Sequence, residues 1–473
     1  MKDNSSLSKV STLTFIGMTC ALVASVRNIP DVADTGWTMF FYMAVAVILY
    51  ALPITLISGE FAGMFPEEGG PELWVTSALG EKWGFMTSWL IWVQMWPGMV
   101  MIASGLAPLI GIVIGNQALG LNNKFTFGVI LVIYWGVTLL NIRFDMAKVG
   151  GKIGVWLGLY IPMAMMLILG ICATAKTGLI PTSTLGRFAD ADLIPDFTTE
   201  NTIKFFAPIM FIFTGIELSS VYITRLVNPV KTYIKAIFVA LIFMFVLNVS
   251  NAFMLANIVP KGHMELNNIG QSIELYSKVL GLPKETATVF SILVLLGVTV
   301  QLSAWATGPS KTITSSARRG LYPPKLGFWK TNKYDVSVPV LITQAIVITI
   351  FAGFYLLIPA VNTAFLMLVS ATAVIYSIVY ILMGIGILKL RKTQPNANRP
   401  FKVGKDLTIK LVVYIMIITI VVAVAMSLAG SSRMSMIAVF VITAIVVIIP
   451  LWFNKIKKPQ WVDEVQKGLG EIK

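Results

Sequence analysis

Val26-Arg27-Asn28-Ile29-Pro30-Asp31 interrupts a hydrophobic run that begins near Leu13 and would otherwise form a single membrane helix. Two charges, an amide and a proline within a span leave backbone N–H and C=O groups that lipid cannot satisfy. This stretch of backbone must therefore face other protein or a water-filled cavity. A second apolar run is interrupted in the same way by Thr214-Gly215-Ile216-Glu217.

The composition is that of a membrane-embedded protein. Of 473 residues, 56% are hydrophobic and only 12% are charged, whereas soluble domains carry about 25% charged residues. The net charge of +14 does not indicate nucleic-acid binding, because the basic residues occupy short loops between apolar runs. Cys20 and Cys172 lie inside apolar runs and His263 is the only histidine. We therefore expect no disulfide framework, no metal site, no cofactor and no enzymatic triad.

The apolar runs predict an all-α membrane protein with twelve transmembrane helices, since a span needs about 20 mostly apolar residues. The predicted spans are 11–33, 38–60, 84–115, 126–143, 153–175, 204–226, 233–259, 286–307, 337–359, 361–388, 407–429 and 434–453. Lys and Arg concentrate in the loops on one side, which is typical of the cytoplasmic face. With an even number of spans, both termini are expected in the cytoplasm, and the protein in the cell membrane.

The two interrupted spans are the first and the sixth, which suggests two inverted five-helix repeats. Paired interruptions of this kind are the best sequence indication of a transporter's substrate site. We divide the chain into a cytoplasmic N-terminus (1–10), a first repeat (11–175) and a second repeat with its preceding loop (176–388). The last two helices with their preceding loop (389–453) and a cytoplasmic tail (454–473) follow.

The predicted substrate site lies where the two interruptions meet. A helix that restarts within the bilayer exposes free backbone N–H groups, which can bind a carboxylate. Asn28, Ile29 and Pro30 form the first interruption, and Thr214 and Gly215, preceded by Phe213, form the second. Alternatively, both interruptions are helix kinks whose free backbone groups form hydrogen bonds with neighbouring helices.

Ionisable groups at membrane depth are expensive and usually functional. Arg27 could hold a substrate carboxylate, and Glu217 could bind an amine or carry a proton as the coupling residue. Alternatively, Arg27 forms an ion pair with Asp31 or with Glu217, and the two interpretations are compatible. Gln94, Gln301 and Trp305 are further candidates for the cavity wall, with hydrogen bonding between helices as the competing explanation.

The chain resembles the amino acid-polyamine-organocation permeases and, within them, the glutamate:γ-aminobutyrate antiporters. The motifs that carry the resemblance are Ser25-Val26-Arg27-Asn28-Ile29-Pro30, Pro66-Glu67-Glu68-Gly69-Gly70, Gly215-Ile216-Glu217 and Ser303-Ala304-Trp305 before Gly308-Pro309-Ser310-Lys311. The resemblance implies a LeuT-like 5+5 inverted repeat with substrate between broken helices one and six. It also implies alternating access and exchange of an amino acid for its decarboxylated amine.

We therefore expect a secondary amino acid transporter, not an enzyme, that exchanges an amino acid for a related amino acid or amine. One alternative is a proton-coupled symporter, and another is an exchanger for an aromatic or basic amino acid and its amine. Arg27 stands where the resembled exchangers carry an acidic residue, which should alter charge preference. The expected partners are a small amino acid or amine and the lipid bilayer, without nucleic acid, and the sequence specifies no oligomeric state.

Overall fold

The computed structural model describes residues 11–12, 15–16, 19, 26–65, 70–144, 146, 156–218, 226, 229–358 and 360–471. Within these ranges the regular structure is helical, apart from an isolated bridge between Ser183 and Pro260. The predicted all-α class is therefore confirmed. The motif at 66–69 lies outside the described residues, as does much of the predicted first span.

Fifteen helices in the described part carry the fold, and we number them in chain order. They are α1 (Ile29–Ala33), α2 (Gly36–Met64), α3 (Gly70–Leu79), α4 (Glu81–Val113), α5 (Asn123–Arg143), α6 (Trp156–Thr177), α7 (Phe206–Phe211), α8 (Pro229–Ile258), α9 (Gly270–Leu280), α10 (Glu285–Arg318), α11 (Val338–Leu357), α12 (Val361–Thr393), α13 (Asp406–Ala429), α14 (Arg433–Ile456) and α15 (Gln460–Glu471). Single turns of helix connect several of them.

Ten of these helices, within the described residues, are long and apolar enough to cross a membrane. They are α2, α4, α5, α6, α8 and α10 to α14, and each coincides with a predicted span. The predicted first and sixth spans extend beyond the described residues, so their described parts are α1 and α7. The predicted eighth span was too short, because α10 continues through Pro309 to Arg318.

Helices α4 and α12 form the centre of the bundle. Their most apolar stretches are each 78% buried, against 33% for α13 and 22% for α14. A helix that is apolar on all sides and buried on all sides belongs to the core, and the two peripheral helices present most of their surface outward. Helices α13 and α14 therefore lie outside the packed centre that surrounds α4 and α12.

The two ends of the bundle differ in charge. The end that we call the basic face carries α3, the loop 394–405 and α15, together with Lys311, Arg318 and Lys392. The end that we call the opposite face carries the segments 114–122, 178–205 and 259–284. On the opposite face, the backbone of Thr184 and Leu185 donates to carbonyls at the end of α8, which ties two of these segments together.

A buried ionic cluster holds the basic face together. Arg391 of α12 donates from Nε and Nη2 to the two carboxylate oxygens of Glu60 on α2, at 2.7 and 2.6 Å. The backbone N–H of Val403 donates to Glu60 Oε2 at 2.9 Å, and Arg399 Nε lies 3.3 Å from Oε1. The Glu60 side chain is fully buried and that of Arg391 is 5% exposed. The loop 394–405 is therefore fixed to α2 and α12 at once.

We predict that Glu60→Ala lowers the apparent melting temperature of the purified protein in detergent. Removing one member of a buried ion pair leaves uncompensated charge and costs about 3–5 kcal/mol. Asp406→Ala is the matched control, because Asp406 contacts the same Arg391 at 3.0 Å but is 70% exposed. Equal melting temperatures for the two variants would contradict a stabilising role for Glu60.

Candidate functional site

A cavity opens in the middle of the described bundle. It lies between the start of α1, the turn after α7, and helices α4, α10 and α12. It leaves about 90 Å³ accessible to the centres of water molecules, whereas one water needs roughly 10–15 Å³ of such space. The cavity can therefore hold a small solute, and residues of both predicted interruptions contribute to its wall.

The backbone at the first interruption changes from a 3-10 turn to α-helix. The 3-10 turn covers Val26–Asn28, and α1 begins directly after it with Pro30 in its first turn. Proline is tolerated there because its missing N–H would have had no helical partner. The residues immediately before Val26 lie outside the described ranges.

The second interruption is sharper. Helix α7 ends at Phe211, and residues 212–215 form a turn in which Gly215 has a φ of +95°. This left-handed conformation favours glycine. A short 3-10 turn at 216–218 follows. The described backbone at this position is thus a turn between two helical segments.

Seven of the eleven predicted site residues line the cavity. They are Arg27, Asn28, Gln94, Thr214, Gly215, Gln301 and Trp305. The other four lie behind its wall: Ile29 and Phe213 are fully buried in the hydrophobic core, and Pro30 lies within α1. Glu217 is also fully buried and does not line the cavity.

Glu217 is held by two tyrosines of α12. Tyr376 O–H donates to Glu217 Oε1 at 2.6 Å, and Tyr380 O–H donates to Oε2 at 2.8 Å. Both carboxylate oxygens are therefore occupied by protein donors, and the sequence alternative of a pair with Arg27 is not what the described contacts show. Tyr376 itself lines the cavity, so it separates Glu217 from the cavity interior.

Tyr380 also satisfies the backbone of the second interruption. The N–H of Gly215 donates to Tyr380 Oη at 3.0 Å. The hydroxyl of Thr214 lies 2.8 Å from that of Tyr50 on α2. Since lipid offers no hydrogen bonds, such partners are required wherever a helix is interrupted within the membrane. The interruption is therefore anchored to α12 and α2.

The charge that faces the cavity is positive. Among the described residues that line it, Arg27 is the only one with an ionised side chain. Asp31, one helical turn further along, interacts with Arg27 electrostatically but lies outside the wall. Arg27 and Asp31 are both in the interior, where an unopposed charge is costly. An anionic group in the cavity would add to the compensation that Asp31 provides.

Neutral amides supply the other polar contacts of the wall. The side chains of Asn28 and Gln301 make no hydrogen bond within the described part of the protein. Gln94 donates to its own helix, at Ile91 O, 3.2 Å away. Asn28 and Gln301 are therefore available to a solute, and each can donate or accept.

Several wall residues were missed by the sequence argument. Gly98, Met101 and Gly105 follow Gln94 along α4 at helical spacing, so the periodicity around Gln94 could have identified them. Asn267 lies in the loop between α8 and α9, far from any span centre, and no sequence pattern marks it. Tyr376 lines the cavity and is held there by its bond to Glu217, and that bond depends on tertiary contact alone.

We predict that Gly215→Ala reduces thermal stability and the transport activity expected from the sequence. A Cβ at this position meets only Leu218 Cδ1, at 3.7 Å, so the penalty is conformational, about 1–2 kcal/mol for a left-handed non-glycine residue. Gly128→Ala in α5 is the control, because nothing lies within 4 Å of its added Cβ. Unchanged melting temperature and substrate uptake in Gly215→Ala would show that the left-handed conformation at this position does not require glycine.

The family model described as amino acid permease matches residues 10–462. A glutamate/gamma-aminobutyrate antiporter of Lactococcus lactis is 27% identical over 84% of this chain and 78% of its own length. A probable agmatine/putrescine antiporter of the same species is 24% identical, over 88% and 85%. The solved structure of MhsT in complex with L-phenylalanine aligns with a TM-score of 0.60 at 14% identity, over 89% of this chain and all of that one. The chain therefore belongs to the amino acid permease family, which consists of membrane transporters and not of enzymes, and it has the LeuT fold.

Proposed function

We propose that this permease is an antiporter that exchanges an amino acid for a related amino acid or its decarboxylated amine by alternating access. The observation that carries the proposal is a cavity lined both by the 3-10 turn Val26–Asn28 and by the turn at 212–215, with one cationic side chain in its described wall. Transporters of broken-helix design bind their substrates at such a place. Arg27, Asn28, Gln94, Thr214, Gly215, Gln301 and Trp305 would form the site.

The charge of the wall favours a substrate that carries a carboxylate in addition to its amine. A guanidinium such as that of Arg27 binds carboxylates through paired, charge-assisted hydrogen bonds. The described wall includes no Asp or Glu side chain to compensate a second ammonium group. Diamines of the agmatine/putrescine type would bring uncompensated charge into the interior, which is costly. We therefore assign a glutamate/γ-aminobutyrate-like substrate pair.

Helix ends contribute less to this assignment than the sequence suggested. Helix α1 has only five residues, Ile29–Ala33, and the partial charge of a helix terminus depends on aligned peptide dipoles along the helix. A full charge on Arg27 outweighs such a contribution. Ile29, Pro30 and Phe213 accordingly serve the site through packing, because they lie behind the wall.

Glu217 has a positioning role in this proposal. Both of its oxygens accept hydrogen bonds from tyrosines, so it fixes Tyr376 and the turn at Gly215 against the cavity. The alternative, proton-coupled symport with Glu217 as the carrier, is favoured by its closeness to the cavity through Tyr376. Counterflow separates the two, because an obligate exchanger takes up no labelled substrate into empty proteoliposomes.

We further propose that the protein resides in the cell membrane with its basic face toward the cytoplasm. The positive loops of the basic face support this orientation, since Lys and Arg near span ends remain on the cytoplasmic side. Both termini would then be cytoplasmic.

We predict that wild-type protein in glutamate-loaded proteoliposomes exchanges labelled L-glutamate and is inhibited by γ-aminobutyrate more strongly than by agmatine. Arg27→Ala should raise the half-saturation concentration for glutamate about ten- to hundredfold, the effect of losing a hydrogen bond to a charged group. The half-saturation concentration of Arg27→Lys should lie between those of the wild type and of Arg27→Ala, because lysine retains the positive charge but lacks the planar guanidinium group.

Lys311→Ala is the control for Arg27, since Lys311 is an exposed cation whose Nζ pairs with the exposed carboxylate of Asp335, 3.3 Å away. Size-exclusion elution of each variant checks that it is folded. Stronger inhibition of the wild type by agmatine than by γ-aminobutyrate would overturn the assignment of substrate class. Equal kinetics for Arg27→Ala and Lys311→Ala would remove Arg27 from the site.

A further inference from the structure

The cavity has a second polar position that the proposed site does not use. Asn267 lies in the loop 259–269 between α8 and α9, is 4% exposed and lines the cavity. Neither its Nδ2 nor its Oδ1 has a hydrogen-bond partner within the described residues. A buried amide without partners is costly, and most buried polar side chains in proteins are paired. A buried amide normally has a hydrogen-bond partner, and the described residues supply none for Asn267.

The loop that carries Asn267 is fixed in place. Asn268 Nδ2 donates to Glu265 Oε2 at 2.8 Å, and Gln271 accepts from the Glu265 N–H at 3.1 Å. Asn362 of α12 donates to Met264 O at 3.3 Å. The carbonyl of Asn267 would lie 3.4 Å from a Cβ at Gly105, so the loop contacts α4 closely. The unpaired amide belongs to an ordered loop and not to a loose one.

Asn267 is distant from Gln94 along the cavity. It contacts α4 at Gly105, eleven residues beyond Gln94 in the sequence, which corresponds to about 16 Å along a helix with a rise of 1.5 Å per residue. The wall residues of α4 between these levels are Met95, Gly98, Met101 and Ile102, which carry no polar N–H or O–H group in their side chains. A single amino acid is too short to contact Gln94 and Asn267 together. The cavity thus has an inner polar end and an outer one on the opposite face.

We propose that Asn267 forms an outer substrate subsite, which an amino acid occupies on its way between the opposite face and the inner site. The amide would bind the carboxylate through Nδ2 or the ammonium through Oδ1, since it is both donor and acceptor. Because it is neutral, it accepts both members of an exchanged pair whatever their net charge. This inference rests on the proposed function and adds a residue and a position to it.

The test compares Asn267→Ala with Asn268→Ala in proteoliposomes of known orientation, using labelled L-glutamate and γ-aminobutyrate. Asn268 is the matched control, because it is a buried asparagine of the same loop that bonds to Glu265 and does not line the cavity. Asn267→Ala should raise the half-saturation concentration from the opposite face about three- to tenfold, as expected for one lost hydrogen bond. The half-saturation concentration from the basic face should stay unchanged, a difference between faces that general destabilisation would not produce.

Asn267→Asp provides a second measurement that retains the shape of the side chain. A fixed negative charge at the outer subsite should weaken inhibition by L-glutamate from the opposite face and strengthen inhibition by agmatine. If both Asn267 variants match Asn268→Ala from both faces, a bound water satisfies the amide and the subsite does not exist. If wild-type protein exchanges neither glutamate nor γ-aminobutyrate, the proposed function fails first, and the subsite for these solutes fails with it.

Discussion

The contact between Glu217 and the tyrosines of α12 is the interaction on which the site depends. Where a membrane helix is interrupted, its free backbone groups and its polar side chains need hydrogen-bond partners inside the protein. Here Tyr380 serves both needs, because its hydroxyl accepts from the Gly215 N–H and donates to Glu217. Tyr376 completes the arrangement and forms part of the cavity wall. The same two side chains therefore hold the turn after α7, and one of them lines the cavity.

Much of the fold follows from local properties of the sequence. Ten predicted spans coincide with helices because about 20 apolar residues in a row leave few alternatives to a membrane helix. The turn at Gly215 was also predictable, since a glycine beside the polar residues Thr214 and Glu217 in an apolar run indicates an interruption. Arg27, Asn28, Gln94, Gln301 and Trp305 could be placed at the cavity because polar or amphipathic groups at membrane depth are rare enough to identify.

The remainder of the site depends on contacts between segments far apart in the sequence. The partners of Glu217 are about 160 positions away, and the sequence left open whether an arginine, a substrate or a proton would meet it. Asn267 is one of two adjacent asparagines in a loop, and only tertiary packing places it, and not Asn268, at the cavity. Ile29 and Phe213 were expected at the wall because they adjoin the interruptions, but the local helix turn directs them into the core.

The Glu60 cluster has a mechanical consequence for any rocking motion. The buried carboxylate of Glu60 binds Arg391 of α12, Arg399 and the backbone of Val403 together. Separating the ends of α2 and α12 on the basic face would therefore leave a buried charge without its partner. We therefore expect these two helix ends to move together and any separation of α2 from α12 to occur at their other ends. In the proposed alternating access, the fulcrum would then lie toward the basic face, and the larger amplitude would fall on the side where Asn267 lies.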